Sequence, residues 1–217
     1  MRAIVVISMS LLLLVTISCG TGDRKEGSGT IVSESRAATE VTTVESEGII
    51  EVEIVRSADP YITVITDDNI VGDVLTDITG SSLLISLRDA NYSNVSVAVS
   101  VGMPAVTSVE NDGTGAITYS GFEGLDVLTV ESNGTGDLDF SGSAAVLDLT
   151  TSGTGGFKGF DFTAGTLQVD MTGTGDVEVT VSDRIEGELT GTGDLTYKGM
   201  PLIDVTVTGL GSIRDGN

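Results

Sequence analysis

The 217-residue chain has no His, no Trp, one Cys and three Pro, and its ten Lys and Arg are outnumbered by 32 Asp and Glu. Without His, and with a single thiol, Ser-His-Asp and Cys-His catalysis, His-ligated zinc and any intrachain disulfide are excluded. A formal charge of −22 repels phosphates, so sequence-independent binding to nucleic acid is excluded too. Aromatic residues make up only 4%, too few for a rich sugar-stacking platform. What the chain does have is a hydrophobic fraction of 40%, enough for a core, and 29 Gly. That is about twice ordinary Gly usage, without the Pro content or strict period-three Gly of collagen.

Residues Met1 to Cys19 read as an export signal. Arg2 supplies a positive start, and Ala3 to Ile17 are uncharged and mostly apolar. As a helix this segment reaches roughly 22 Å, short of the ~30 Å hydrocarbon core of a bilayer. It ends in Thr16-Ile17-Ser18-Cys19-Gly20, which resembles a bacterial lipoprotein signal whose Cys becomes the lipid-bearing first residue. Thr16 stands where that signal usually has Leu; an ordinary secretory signal is the alternative. Lipidation of Cys19 anchors the chain to a membrane. Residues 1–18 are therefore read as the signal peptide and 19–30 as a flexible, Gly- and Ser-rich tether.

From Asn111 onward a Gly-x-Gly step recurs, starting at Gly113, Gly134, Gly153, Gly173, Gly191 and Gly209, with spacings of 21, 19, 20, 18 and 18. Aligned on the first Gly, the residue six before it is Thr107, Leu128, Leu147, Leu167, Ile185 or Ile203. Four before it stand Val109, Val130, Leu149, Val169, Gly187 and Val205; four after it stand Ile117, Leu138, Phe157, Val177, Leu195 and Ile213. The apolar places lie two residues apart, the period of a strand. A unit of this size holding short strands and Gly turns predicts an all-β fold: a parallel β-helix, or solenoid, in which each apolar column stacks into a ladder. The crossover rule makes it right-handed.

Residues 31–110 keep the strand period without the Gly punctuation. Strands are predicted at Glu40–Val44, Ile49–Val55, Tyr61–Thr66, Leu83–Leu87 and Val95–Val101. They are read as earlier, less regular coils of one domain spanning 31–217, with 111–217 as the regular coils; an independent N-terminal β-domain is the alternative. Some 180 residues at roughly 19 per coil predict about nine coils. The end coils must be capped or covered by another subunit, because bare strand edges invite pairing.

These features resemble a known family. Asp67-Asp68-Asn69-Ile70 follows a strand, then come Gly80-Ser81-Ser82-Leu83-Leu84-Ile85, Val95 to Val101, Met103-Pro104-Ala105 and the first Gly-x-Gly. The Gly-Thr-Gly-Asp repeats and the closing Gly191-Thr192-Gly193-Asp194-Leu195-Thr196-Tyr197-Lys198-Gly199-Met200-Pro201 complete the order. Together they resemble the head GIN domain family of auto-transporter adhesins, found in bacterial envelope proteins. The resemblance implies a right-handed β-helix on the cell envelope with an adhesin or surface-binding role. It provides no catalytic residues, and the chain lacks the long passenger and membrane barrel of an autotransporter.

Three acids follow their Gly-x-Gly steps, Asp137, Asp176 and Asp194. Asp176 and Asp194, on adjacent coils, are the candidates for calcium, but calcium takes six to eight oxygens and the equivalent places elsewhere are Ala116, Gly156 and Ser212. A solvated Asp turn is the plain reading, and no metal or cofactor is assigned. Asp137 with Asp139, or Asp176 with Glu178, puts two carboxyls on one strand face, as glycoside hydrolysis requires, but alternating acids are also the ordinary solvation pattern of an outer face. The column Thr114, Thr135, Thr154, Thr174 and Thr192, flanked by Thr172 and Thr190, forms an outward array, a flat binding ladder or simply a tolerated turn position. Tyr119, Phe140, Phe157, Phe160 and Tyr197 are the aromatic candidates, several of them at core parity.

The sequence thus describes a lipid-anchored, acidic β-helix protein of the bacterial cell envelope, at the outer membrane and facing the periplasm or the surface. It acts as a non-enzymatic surface-binding or structural module, with a surface protein or glycan as partner. The alternative is a carbohydrate-binding or polysaccharide-degrading protein, glycoside hydrolase or lyase, on the same scaffold.

Overall fold

The computed structural model describes residues 23–217; the signal peptide and Cys19 lie outside the described residues. Strands β1 (Arg24–Glu26), β2 (Ile31–Arg36), β3 (Thr43–Ser46), β4 (Glu51–Arg56) and β5 (Tyr61–Asp67) precede a 3-10 turn at Val71–Asp73. They are followed by β6 (Val74–Thr79), β7 (Ser82–Leu87), β8 (Asn91–Ser93), β9 (Val97–Met103) and β10 (Ser108–Asn111). Four long strands come next, β11 (Ile117–Ser132), β12 (Leu138–Thr151), β13 (Phe157–Met171) and β14 (Val177–Leu189), and then β15 (Leu195–Lys198), β16 (Leu202–Val207) and β17 (Ile213–Asp215).

The repeat forms a solenoid as its spacing predicts. Each long strand runs from one Gly-x-Gly turn to the next with register shifts along its length, so that its second half lies before a Gly-x-Gly turn and its first half after the preceding one. On the side that precedes the turn, Val109, Val130, Leu149, Val169, Gly187 and Val205 stack in parallel register. On the side that follows it, Ile117, Leu138, Phe157, Val177, Leu195 and Ile213 do the same. Successive members of the second column mark five complete turns. Both columns point inward, and their side chains from Val109 to Val169 and from Ile117 to Leu195 are at most 4% exposed. One coil cannot bury its own apolar face, so the core exists only because every coil covers its neighbour.

The turns are glycine for a reason of space. A Cβ at Gly134 would lie 1.9 Å from the carbonyl oxygen of Gly113, and one at Gly136 would lie 1.9 Å from that of Gly115. The same stacking recurs from Gly48 and Ile50 up to Gly209 and Gly211. Backbone rests on backbone here, leaving no room for any side chain.

Five turns, not nine coils, and the difference lies in residues 23–107. Only β3 and β4, joined by a turn at Gly48, form a coil there, stacked parallel on β10 and β11. The strands β7 and β9 add one further parallel layer, on β3 and β4 respectively. Above that layer the chain runs the other way: β6 is antiparallel to β7, and β5 is antiparallel to both β9 and β2. These strands form a roof instead of winding on, which satisfies an edge that a further parallel coil would only have displaced. The roof shares the main sheet and one continuous core with the coils. Strands β2 and β6 carry no Gly punctuation and were absent from the sequence expectation.

Residues 23–30 are likewise not a free tether. Strand β1 pairs with β8, Lys25 meets Asp73 at 2.5 Å, and the amides of Ser28 and Gly29 donate to Asn69 and Asp67 at 3.1 and 2.7 Å. Asp67 is only 2% exposed and also accepts from the Ser96 amide at 3.2 Å. The Asp-Asp-Asn turn therefore clamps the entry of the chain to the roof.

Candidate functional site

The outward residues decide what the solenoid can touch. After three of the six Gly-x-Gly steps, an Asp reaches along the axis to the equivalent residue of the next coil. Asp137 accepts from the Gly156 amide at 3.0 Å and from Lys158 at 2.7 Å. Asp176 accepts from the Asp194 amide at 2.8 Å. Asp194 accepts from the Ser212 amide and hydroxyl at 2.9 and 2.7 Å, and pairs with Arg214 at 2.7 Å. These acids tie coil to coil. Bonding to Lys158 and to the Gly156 amide holds the Asp137 carboxyl below the usual range, and bonding to Ser212, with Arg214 nearby, does the same for Asp194.

Asp137, Asp176 and Glu178 do share one open depression of about 340 Å³, with Lys158 among them. A hydrolytic acid needs a carboxyl pushed upward; the Asp137 carboxyl there is pushed down. Among the described residues no group of three or more His, Cys, Asp or Glu is placed to hold a metal ion, and Asp176 and Asp194 each accept a backbone amide of the next coil. The Thr column is exposed throughout, its amides bonding to glycine carbonyls of the previous coil. Of the aromatic candidates, Tyr119, Phe140 and Phe157 are core residues in one file, Tyr119 stacked on Phe140 at a centroid distance of 4.9 Å and Phe157 tilted against Phe140 at 5.1 Å, with Phe122 stacked on Tyr119 at 4.5 Å. Phe160 lies under the Lys198 ammonium, 4.1 Å from its ring centre. No sugar platform forms from them.

The surface that sequence reasoning missed is on the side before the turns. Parallel register puts Glu45, Glu110 and Glu131 in one column, continued by Thr150, Asp170 and Glu188. Beside it runs Thr43, Ser108, Thr129, Asp148, Gln168, Glu186 and Asp204. Asn133 bridges the two acids Asp112 and Glu131 at 2.9 and 3.1 Å, and Ser82 donates to Glu45 at 2.5 Å. Partial burial, with Asp112, Glu131 and Glu45 around it, raises the Glu110 carboxyl above its ordinary range. The alignment that revealed the apolar columns also contains this one, three residues before each first Gly. The opposite side interleaves its acids with Lys158 and Arg214, while on this side Arg184 pairs with Glu186 and Asp204 toward the C-terminal coils.

Glu110 yields a pH-dependent expectation. Its folded carboxyl keeps a proton to higher pH than the unfolded chain does, so ionising it costs stability as pH rises. Glu110→Gln is expected to melt about 1–4 °C above the parent at pH 7, the size of an opposed like-charge pair across strands. Below the ordinary Glu value of about 4.3 the two should converge. Asp194→Asn should behave oppositely: its stabilisation is present above the ordinary Asp value and is lost as pH falls through the depressed one. Thermal melts over a pH series read both, and a Glu110→Gln variant that melts below its parent at pH 7 would contradict the crowding.

A family model described as "Putative auto-transporter adhesin, head GIN domain" matches residues 40–201. Among solved structures, the chain resembles a "putative adhesin" from Bacteroides fragilis with a TM-score of 0.74 at 18% identity, covering 88% of this chain and 99% of that one. A "putative adhesin" from Parabacteroides merdae gives 0.53 at 18% identity, covering 90% and 100%. A "Putative lipid binding protein" from Parabacteroides distasonis gives 0.56 at 16% identity, again covering 90% and 100%. At such identities the likeness is one of fold. No curated protein matches the chain significantly.

Proposed function

Because the chain belongs to the head GIN domain family of auto-transporter adhesins, we propose that it is a lipid-anchored, non-enzymatic surface-binding module of the bacterial cell envelope, held by Cys19. It presents the acidic side before the Gly turns to a surface protein or glycan. The observation that carries this reading is the arrangement of the acids: Asp137, Asp176 and Asp194 each bond the next coil, while Glu45, Glu110 and Glu131 stand in register as a half-buried to exposed column in which Ser82 bonds Glu45 and Asn133 bonds Glu131. A flat ladder of this kind offers many weak, repeated contacts, which suits adhesion better than turnover.

The competing reading, a polysaccharide-degrading enzyme, draws on the depression that holds Asp137, Asp176, Glu178 and Lys158. One set of experiments on the full chain separates them. Acidic glycans are expected to show no hydrolysis or lyase cleavage, with or without calcium; turnover that vanishes in Asp137→Ala or Asp176→Ala would overturn the binding reading. On an array of bacterial surface glycans and immobilised envelope proteins, the Glu45→Gln/Glu110→Gln/Glu131→Gln variant should be retained at least about tenfold less than the parent, as multivalent contact predicts. Palmitate labelling in a bacterial host should disappear in Cys19→Ser, and unchanged labelling would remove the anchor.

A further inference from the structure

The two ends of the solenoid are finished differently. At one end the inner residues of β9 are covered antiparallel by β5, with Val64 opposite Val99 and Ile62 opposite Val101, all at most 1% exposed. At the other end β16 pairs with β14 along one edge, and among the described residues no strand pairs with its second edge. Thr208 donates its amide to Leu189 of the coil beneath. Successive backbone groups alternate between the two edges of a strand, so the N–H and C=O of Ile203, Val205 and Val207 face outward along the axis.

The side chains here are uncovered as well. Leu128, Leu147, Leu167 and Ile185 are completely buried, yet Ile203, next in the same column, is 44% exposed. Val207, which continues Met171 and Leu189, is 43% exposed. Met200, Leu202 and Leu210 stand around them, and Leu210 occupies the turn position that Thr holds in the five preceding turns. Five large apolar side chains are thus exposed on the terminal coil, the kind of surface that marks an interaction site.

We propose that this end is covered by a second copy of the chain, with the two β16 strands antiparallel about a two-fold axis through Val205. Charge favours a copy over other partners. From Gly199 to Asn217 only Asp204, Arg214 and Asp215 are charged, and Asp204 is paired with Arg184, so the end is nearly neutral in a chain of −22. Two copies would repel along their acidic sides but not here, whereas a basic partner would be drawn to the sides instead. The sequence of β16 is also self-complementary. Centred on Val205, antiparallel pairing sets Ile203 against Val207 on the inner face and Asp204 against Thr206 on the outer; centred on Asp204, it would set Asp against Asp. Each inner residue then exchanges both backbone hydrogen bonds with its counterpart, as β9 already does with β5. An isologous contact closes on itself, giving a dimer in place of a fibre.

The test is a single cysteine. Val205→Cys in the full chain, extracted in detergent and mildly oxidised, is expected to give a species of twice the mass whose linked peptide joins position 205 to itself. Opposed residues in such a pair sit about 5.5 Å apart, within disulfide reach. Thr118→Cys, on a coil side, should stay monomeric. Val205→Pro deletes an N–H only from the free edge; it is expected to keep the parent's strand spectrum while sedimentation shows at least tenfold weaker self-association. A folded Val205→Cys chain that forms no 205–205 link, equal linking at position 118, or capture of a different protein would each overturn the proposal.

Discussion

Gly136→Val is expected to prevent the coils from closing. Its Cβ would fall 1.9 Å from the carbonyl oxygen of Gly115 and 2.5 Å from the carbon, both backbone atoms fixed by the ladder, so no rotamer relieves the clash. Moving the coils apart instead would break the parallel hydrogen bonds on both sides of the turn. Such a clash belongs with the rare substitutions that cost more than 4–5 kcal/mol, against a total stability of about 5–15 kcal/mol. The variant should therefore melt at least about 10 °C below the parent or fail to accumulate folded protein. Two controls separate this cause from generic glycine effects. Gly72→Ala meets nothing within 4 Å and has an ordinary φ, so it should lie within about 0.5 kcal/mol of the parent. Gly124→Ala also meets nothing, but sits at φ +66, and should cost about 1–2 kcal/mol through backbone strain alone. Circular dichroism melts rank the three, and a Gly136→Val chain melting beside Gly72→Ala would refute the stacking argument.

Phe140→Ala should have the second-largest effect. The ring is completely buried between Tyr119 and Phe157, one member of an aromatic file that crosses three successive coils. Removing it leaves a cavity that a ladder of fixed spacing cannot collapse, at about 3–5 kcal/mol. Because each coil contacts only its neighbours, the loss falls on one interface and loosens the coupling between the coils on either side. The transition should shift down by roughly 6–15 °C and broaden in calorimetry, with the coils beyond β12 exchanging their amide hydrogens sooner. Tyr119→Phe is the milder companion. It keeps the stack and loses only the hydroxyl that donates to the Val106 carbonyl at 2.6 Å, leaving that buried acceptor unmet at about 1–3 kcal/mol. If Phe140→Ala costs no more than Tyr119→Phe, the file is not what couples these coils.

The regular coils were legible because their pattern is local: a period of 18–21 residues, apolar residues two apart, and glycine wherever backbone lies on backbone. That pattern alone determined the parallel stacking of Leu128 on Leu147 and of Ile117 on Leu138; the family resemblance, which the ordered motifs from Asp67 to Pro201 carry, is borne out by the match over 40–201. Strand direction in the roof is another matter. Val64 and Val99 have the same parity and burial whether β5 runs with β9 or against it, so alternation could not distinguish a further coil from an antiparallel cover. The acids show the same division. Their types and spacing are written in the chain, but whether a carboxylate ties down the next coil, as Asp194 does, or crowds against its equals, as Glu110 does, depends on which residues face it across 4.8 Å of sheet. Hydrophobic period is a property of one strand; partner, direction and charge neighbourhood are properties of two, and only tertiary structure supplies the second.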